Sequence, residues 1–167
     1  MADPLEAAIS DRIAALSLAD EALAADAAGT IGTAEIVRRA TSREAFEGIA
    51  TVPIGALALY RRLRAASALA ASPVAYAAAT STDQRRMVGE VEVRTASEEG
   101  VTWLILTLAA GAVPTMMELL AADGRTARLV LDEPVDGVIQ MGLAAADPIS
   151  APAVALLQHP STAIFLI

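Results

Sequence analysis

Lysine, cysteine and asparagine are absent from all 167 positions, and histidine occurs once, at His159. Each absence removes some chemistry. Without lysine there is no Schiff-base nucleophile, no lysine general base and no phosphate-loop lysine. Without cysteine there is no thiol nucleophile, no zinc–thiolate site and no disulfide. Without asparagine there is no asparagine-linked glycosylation. A single histidine cannot supply the set of imidazoles that metal sites draw on. Aromatic residues are also few, and Tyr60, Tyr76 and Trp103 do not make a stacking platform for bases or sugars. What remains is arginine, carboxylate, hydroxyl and one imidazole. No constellation of these names a reaction. The sequence leans away from an enzyme and offers no catalytic residue, no cofactor-binding residue and no metal ligand.

All twelve basic residues are arginines. The Ala-rich, Asn-free, Arg-only composition reads as a bacterial GC-rich coding bias. The use of Arg in place of Lys is then no sign of bidentate recognition. Net charge is −8, distributed unevenly. Residues 1–30 carry six acids and one Arg, and residues 31–72 carry six Arg and three Glu. Residues 73–97 balance, and residues 98–167 carry eight acids and two Arg. An acidic total argues against general binding to nucleic acid or to an anionic membrane.

The opening Met-Ala-Asp-Pro-Leu-Glu has neither a basic region nor an apolar core, which argues against a signal peptide. A cytoplasmic location is the default. Residues 101–117 carry no charge, a length at the short edge of a membrane span. Gly111 and Pro114 interrupt that stretch, acids flank it, and no Arg lies near its ends. Val101, Trp103, Ile105 and Thr107 favour a strand there instead.

The chain changes character near residue 72. Asp3, Pro4 and Glu6 make a capping arrangement for a first helix, with Leu5, Ile9, Ile13, Leu16 and Leu23 on one apolar face and Gly29 as its stop. A second helix follows Thr33, with Ile36, Val37, Ala40 and Phe46 apolar, bounded by Gly48 and Pro53. A third runs over residues 54–71 and ends at Ser72-Pro73. Residues 74–79 read as either a short strand or a helical turn. Strands are then expected over residues 87–95, 101–108, 115–121, 126–132, 138–143 and 161–167. Turns are expected at residues 97–100, at Asp123-Gly124 and at residues 133–137. Residues 101–108 are apolar on both faces and suggest a central buried strand with Trp103 in the core. Ser150 and Pro152 open a short helix that ends before His159-Pro160. The expected fold is one α+β domain over residues 1–167, helical over residues 1–72 and sheet-forming from about 73 to 167. Its architecture is an N-terminal three-helix segment packed on an antiparallel sheet of five to six strands.

Three functions follow in order. The first is a non-enzymatic protein-interaction or regulatory assembly subunit, oligomeric with itself or joined to another protein. The second is a small-molecule-binding or enzymatic α+β domain that works through Arg and carboxylate groups. The third is a DNA-binding regulator using Arg-rich helices. The candidate interaction surface is Arg38, Arg39 and Arg43 on the second helix with Arg61, Arg62 and Arg64 on the third. Residues 46–64 have a faint helix-turn-helix look, with Gly55 displaced from the usual offset. Asp11, Asp20, Glu21 and Asp26 make the first helix acidic, so the same arginines could be matched within the fold. Ile164, Phe165, Leu166 and Ile167 form an apolar final strand that must be central in a sheet or completed by a partner. His159 reads as a helix-end residue meeting the C-terminal dipole. The acidic turn from Asp132 to Asp136 lacks calcium-loop spacing and reads as a solvated hairpin turn.

Overall fold

A computed structural model of the chain describes residues 31–44, 50–72, 83–111, 113–159 and 161–167. The expected first helix, with its acidic residues, lies outside them, as do Phe46, Gly48 and residues 74–79. The described helices are α1 (Thr33–Thr41), α2 (Leu57–Ser67) and α3 (Ala151–Leu157), with a 3-10 turn at Ile54–Ala56 leading into α2. The described strands are β1 (Ala50–Thr51), β2 (Ala70–Ala71), β3 (Asp83–Val88), β4 (Val91–Glu98), β5 (Val101–Thr107), β6 (Met116–Leu120), β7 (Arg125–Val130), β8 (Val138–Ala144) and β9 (Ala163–Leu166). They form two antiparallel sheets, β1-β7-β6-β9-β2 and β3-β4-β5-β8.

Turn chemistry sets the hairpins. Glu98 pairs with Val101 around Glu99 and Gly100, which both have positive φ. A two-residue loop of that hand matches the twist of the flanking strands. Val88 pairs with Val91 around Gly89, again at positive φ. The β6–β7 hairpin turns through Ala122-Asp123-Gly124, with Gly124 at φ 87°. Gly124 carries a second constraint, because its carbonyl accepts the Val52 N–H at 2.8 Å, and a Cβ there would stand 2.1 Å from the Val52 carbonyl oxygen. Gly124→Ala is therefore expected to destabilise the protein by about 1–3 kcal/mol in urea unfolding, through left-handed strain and that contact. A loss inside the about 0.5 kcal/mol typical of neutral surface changes would show that the β1 contact relaxes freely.

The elements stack in three layers. The five-stranded sheet is the middle one. Met117, Leu119, Ala127, Leu129, Ile164 and Leu166 face the second sheet, where Val88, Val93, Leu104, Leu106, Ile139 and Leu143 meet them. α3 adds Ala153, Val154, Leu156 and Leu157 to this core and packs against β6, β7 and β8. The opposite face of the middle sheet presents Leu120, Ala163 and Phe165 to Ile36, Ala40, Leu57 and Tyr60 of α1 and α2. Strands covered on both faces are buried throughout, as β6 and β9 are.

The α+β class stands, but the expected architecture is corrected in two respects. The described helices are not gathered at the N-terminus, since α3 lies at residues 151–157. The strands form two sheets of five and four, not one of five to six. The physical reason shows in β5. Thr102, Leu104 and Leu106 point into the core, whereas Val101, Trp103, Ile105 and Thr107 point outward. β5 is thus one-sided, and Trp103 is 37% exposed, not core. The expected single strand at 87–95 is broken by the Gly89 turn into β3 and β4. The expected helix at 54–71 stops at Ser67, because Ala70 and Ala71 pair with Leu166 and Phe165 as β2.

Candidate functional site

The densest polar cluster lies between the helices and the middle sheet. Tyr60 and Arg64 stand one helical turn apart on α2 and so share a face. Below them, Glu118 of β6 pairs directly across the sheet with Arg128 of β7. Tyr60 Oη donates to Glu118 Oε1 at 2.7 Å. Arg128 Nε donates to Glu118 Oε2 at 2.6 Å, and Arg64 Nη2 lies 2.8 Å from the same oxygen. That last contact is an ion pair without hydrogen-bond alignment, and Arg64 Nε likewise has no hydrogen-bond partner among the described residues. Arg64 and Glu118 have no solvent-accessible surface.

Two guanidinium groups thus share one carboxylate. Both guanidinium groups also meet carbonyls at and just beyond the C-terminal end of α1. Arg64 Nη1 donates to the Ala40 and Ser42 carbonyls at 3.2 and 2.8 Å. Arg128 Nη2 donates to the Arg39 carbonyl at 2.8 Å, and its Nη1 donates to the Glu44 carbonyl. A helix C-terminus carries unpaired carbonyls and partial negative charge, so cations are favoured there. Burial, with the Glu118 charge beside it, pushes the Tyr60 hydroxyl above its ordinary range and keeps it a donor. Burial pulls Arg64 below its ordinary value while Glu118 opposes it. The cluster fastens α1 and α2 to the sheet. Its Arg64 and Glu118 side chains are closed to solvent.

The six helical arginines are not one surface. Arg64 is corrected outright, because it is wholly buried in this cluster. Arg38 and Arg39 turn back on their own helix, where Glu35 takes Arg38 Nε and Nη2 and Arg39 Nε, each at 2.7 Å. Those bonds hold the Glu35 carboxyl down at about 2. Arg43 and Arg62 are exposed, and Arg61 is half-buried. The apolar final strand is β9, paired with β6 on one edge and β2 on the other within the same chain. It stands on the central side of the two alternatives, with no long edge left for a partner strand.

His159 is exposed at the end of α3, and its Nδ1 lies 2.8 Å from Ser161 Oγ. Arg86 of β3 is the stronger feature of this corner. It donates to the Thr162 carbonyl at 3.0 Å and the His159 carbonyl at 3.2 Å, tying the second sheet to the loop before β9. Among the described residues no three His, Cys, Asp or Glu side chains gather as a metal site, the acidic turn included. None of the described helices is long and apolar enough to cross a membrane.

An open cavity of about 300 Å³ lies beside the end of β2, lined by Leu69, Ala70, Gly89, Glu90, Val91 and Pro114 among others. Neither Arg61 nor Arg94 lines it, and Glu90 is its single charged residue. The outward face of the second sheet is the larger exposed feature. Trp103 lies there with the exposed Met87 and the half-buried Val101, Ile105 and Val138. Arg85 and Glu92 form an ion pair at 3.8 Å on the same face. No family model, no curated protein and no solved structure matches this chain.

Proposed function

We propose that this protein is a non-enzymatic interaction subunit that works in an assembly. The observation that carries the reading is the outward face of the β3-β4-β5-β8 sheet. It holds the only tryptophan of the chain at 37% exposure, flanked along β5 by half-buried Val101 and Ile105, with half-buried Val138 on β8 of the same face. Exposed apolar surface of this kind, rimmed by charge, marks contact sites on proteins, and tryptophan is a frequent anchor in them. The buried ion pairs lie elsewhere, fastening the helices to the middle sheet. Support for an enzyme or a small-molecule site would have come from arginine and carboxylate converging in a cavity, and the open cavity beside β2 has no arginine.

The test is a photo-crosslinking amino acid placed at position 103 in the cells that make the protein. A discrete covalent adduct, with a second copy or with another protein, is the expected result. Recovery of unmodified monomer alone after illumination would sink the reading.

A further inference from the structure

We propose that β8 is the seam between two copies of this chain, which pair antiparallel through Gln140 and Gly142 about a two-fold axis at Met141. The inference rests on the reading of the protein as an assembly subunit and names its surface. β8 is a seven-residue edge strand with no charge, Val138–Ala144. The opposite edge of that sheet, β3, carries Asp83, Arg85 and Arg86 among its six residues. The edges of the other sheet, β1 and β2, are two residues each. Charge and shortness are the usual defences of a sheet edge, and β8 alone among these four has neither.

Backbone direction decides which groups of β8 are open. Leu108 N–H donates to the Gly137 carbonyl at 2.8 Å, and Ala145 N–H donates to the Gly100 carbonyl at 3.3 Å. Odd-numbered residues therefore bond toward β5, and Val138, Gln140, Gly142 and Ala144 present their backbone groups outward. Both ends of that outward row are occupied. Val138 exchanges two hydrogen bonds with Val135, at 2.8 and 2.9 Å. The Ala144 carbonyl accepts from the Asp147 N–H at 3.1 Å and from Ser150 Oγ at 2.7 Å. Between them, no described residue bonds the outward N–H and C=O groups of Gln140 and Gly142.

An antiparallel copy with its axis at Met141 sets Gln140 opposite Gly142 of the second copy, and Gly142 opposite its Gln140. Each is a hydrogen-bonded pair, so four N–H···O bonds close, which uses every open group of those two residues. The pairing is confined to residues 140–142, and beyond them the second strand must twist out of the sheet plane, because Val135, Asp147 and Ser150 already stand beside Val138 and Ala144. No like charges meet along the strand itself, which is uncharged. The side chains follow the same register. Gly142 lies under the Trp103 ring, where a Cβ would stand 3.3 Å from Cζ3. Gln140 of the second copy then lays its aliphatic stem beside that ring, and half-buried Met141 meets its own counterpart on the inner face. The two four-stranded sheets become one of eight.

The experiment is light scattering and Trp103 fluorescence across micromolar concentrations, on the full chain and on two variants. Gln140→Pro removes an outward N–H while sparing the bonds to β5, as edge strands tolerate. Gln140→Lys keeps the backbone and adds a charge to the edge. The wild type is expected to pass from monomer to dimer, with a blue shift of tryptophan emission and slowed exchange of the Gly142 amide. Each variant is expected to raise the dissociation constant at least about tenfold, with an unfolding midpoint equal to wild type at concentrations where both are monomeric. A dimer unaffected by Gln140→Lys would overturn the β8 seam and leave the assembly reading intact. A wild type that stays monomeric would also overturn it, and an adduct from position 103 with a different protein would then keep the broader reading alive.

Discussion

Glu118→Ala is expected to cost about 3–5 kcal/mol in urea unfolding, the range for removing one partner of a buried ion pair. Total stability for a domain is about 5–15 kcal/mol, so the variant should lose a large share of it and unfold at a clearly lower urea concentration. The magnitude comes from what is left behind. Arg64 and Arg128 would both stay buried without their carboxylate, and the Tyr60 hydroxyl would lose its acceptor. Tyr60→Phe removes one hydrogen bond to the carboxylate and no charge, and should cost less, about 1.5–3 kcal/mol. Replacing all three charged residues by apolar ones is often neutral for a buried pair. Here it should not be, because the Arg39, Ser42 and Glu44 carbonyls would lose arginine donors together, while Ala40 keeps only Ser67 Oγ of its two side-chain donors. A Glu118→Ala protein within about 1 kcal/mol of wild type would contradict this account, since that is the range of an exposed pair.

Deleting Ile164, Phe165, Leu166 and Ile167 is expected to abolish cooperative unfolding altogether. Each of these side chains is at most 3% exposed. Full burial contributes about 1.5–3 kcal/mol for a large apolar side chain, so four together are comparable with the stability of a typical domain. The deletion also strips β6 and β2 of their shared neighbour and removes the Ile167 carbonyl that accepts the Thr115 N–H at 2.7 Å. Circular dichroism with a thermal ramp reads the result. A sigmoidal transition in the deleted chain would show that β6 and β7 hold without β9.

Local signals in the sequence carry much of the secondary structure and little of its assembly. Asp123-Gly124 and Glu99-Gly100 are turn pairs, and both hairpins turn there. Ser150 and Pro152 announce α3, which starts at Ala151. The Gly89 turn is hidden, because Val88-Gly89-Glu90-Val91 keeps an alternating pattern straight through a two-residue loop. Trp103 misleads for a related reason. A strand of Val, Trp, Ile and Leu reads as buried on both faces, and only the sheet it joins shows that one face looks out. The buried cluster is partly legible. Tyr60 and Arg64 have the spacing of one helix face, and a hairpin centred on Asp123 pairs residue 118 with residue 128. That α2 settles over this pair is a tertiary fact, and no local pattern in an Arg-rich helix separates Arg64 from exposed Arg62.

The position of β9 also bears on how the chain is made. It follows the other eight strands in sequence, yet it sits between β6 and β2. A polypeptide leaving the ribosome N-terminus first has released β2, β6 and β7 before residue 163 is joined. Until then the β6–β7 hairpin has a bare edge of five residues, with one charge among them. The β3-β4-β5 meander pairs residues close in sequence and can begin to form as it emerges, before β8 and the middle sheet cover it. Early folding of one layer and late closure of the other leave an interval in which nascent chains expose unpaired apolar strand to one another. In that interval translation speed and holdase chaperones bear on how much folded protein a cell recovers, alongside final stability.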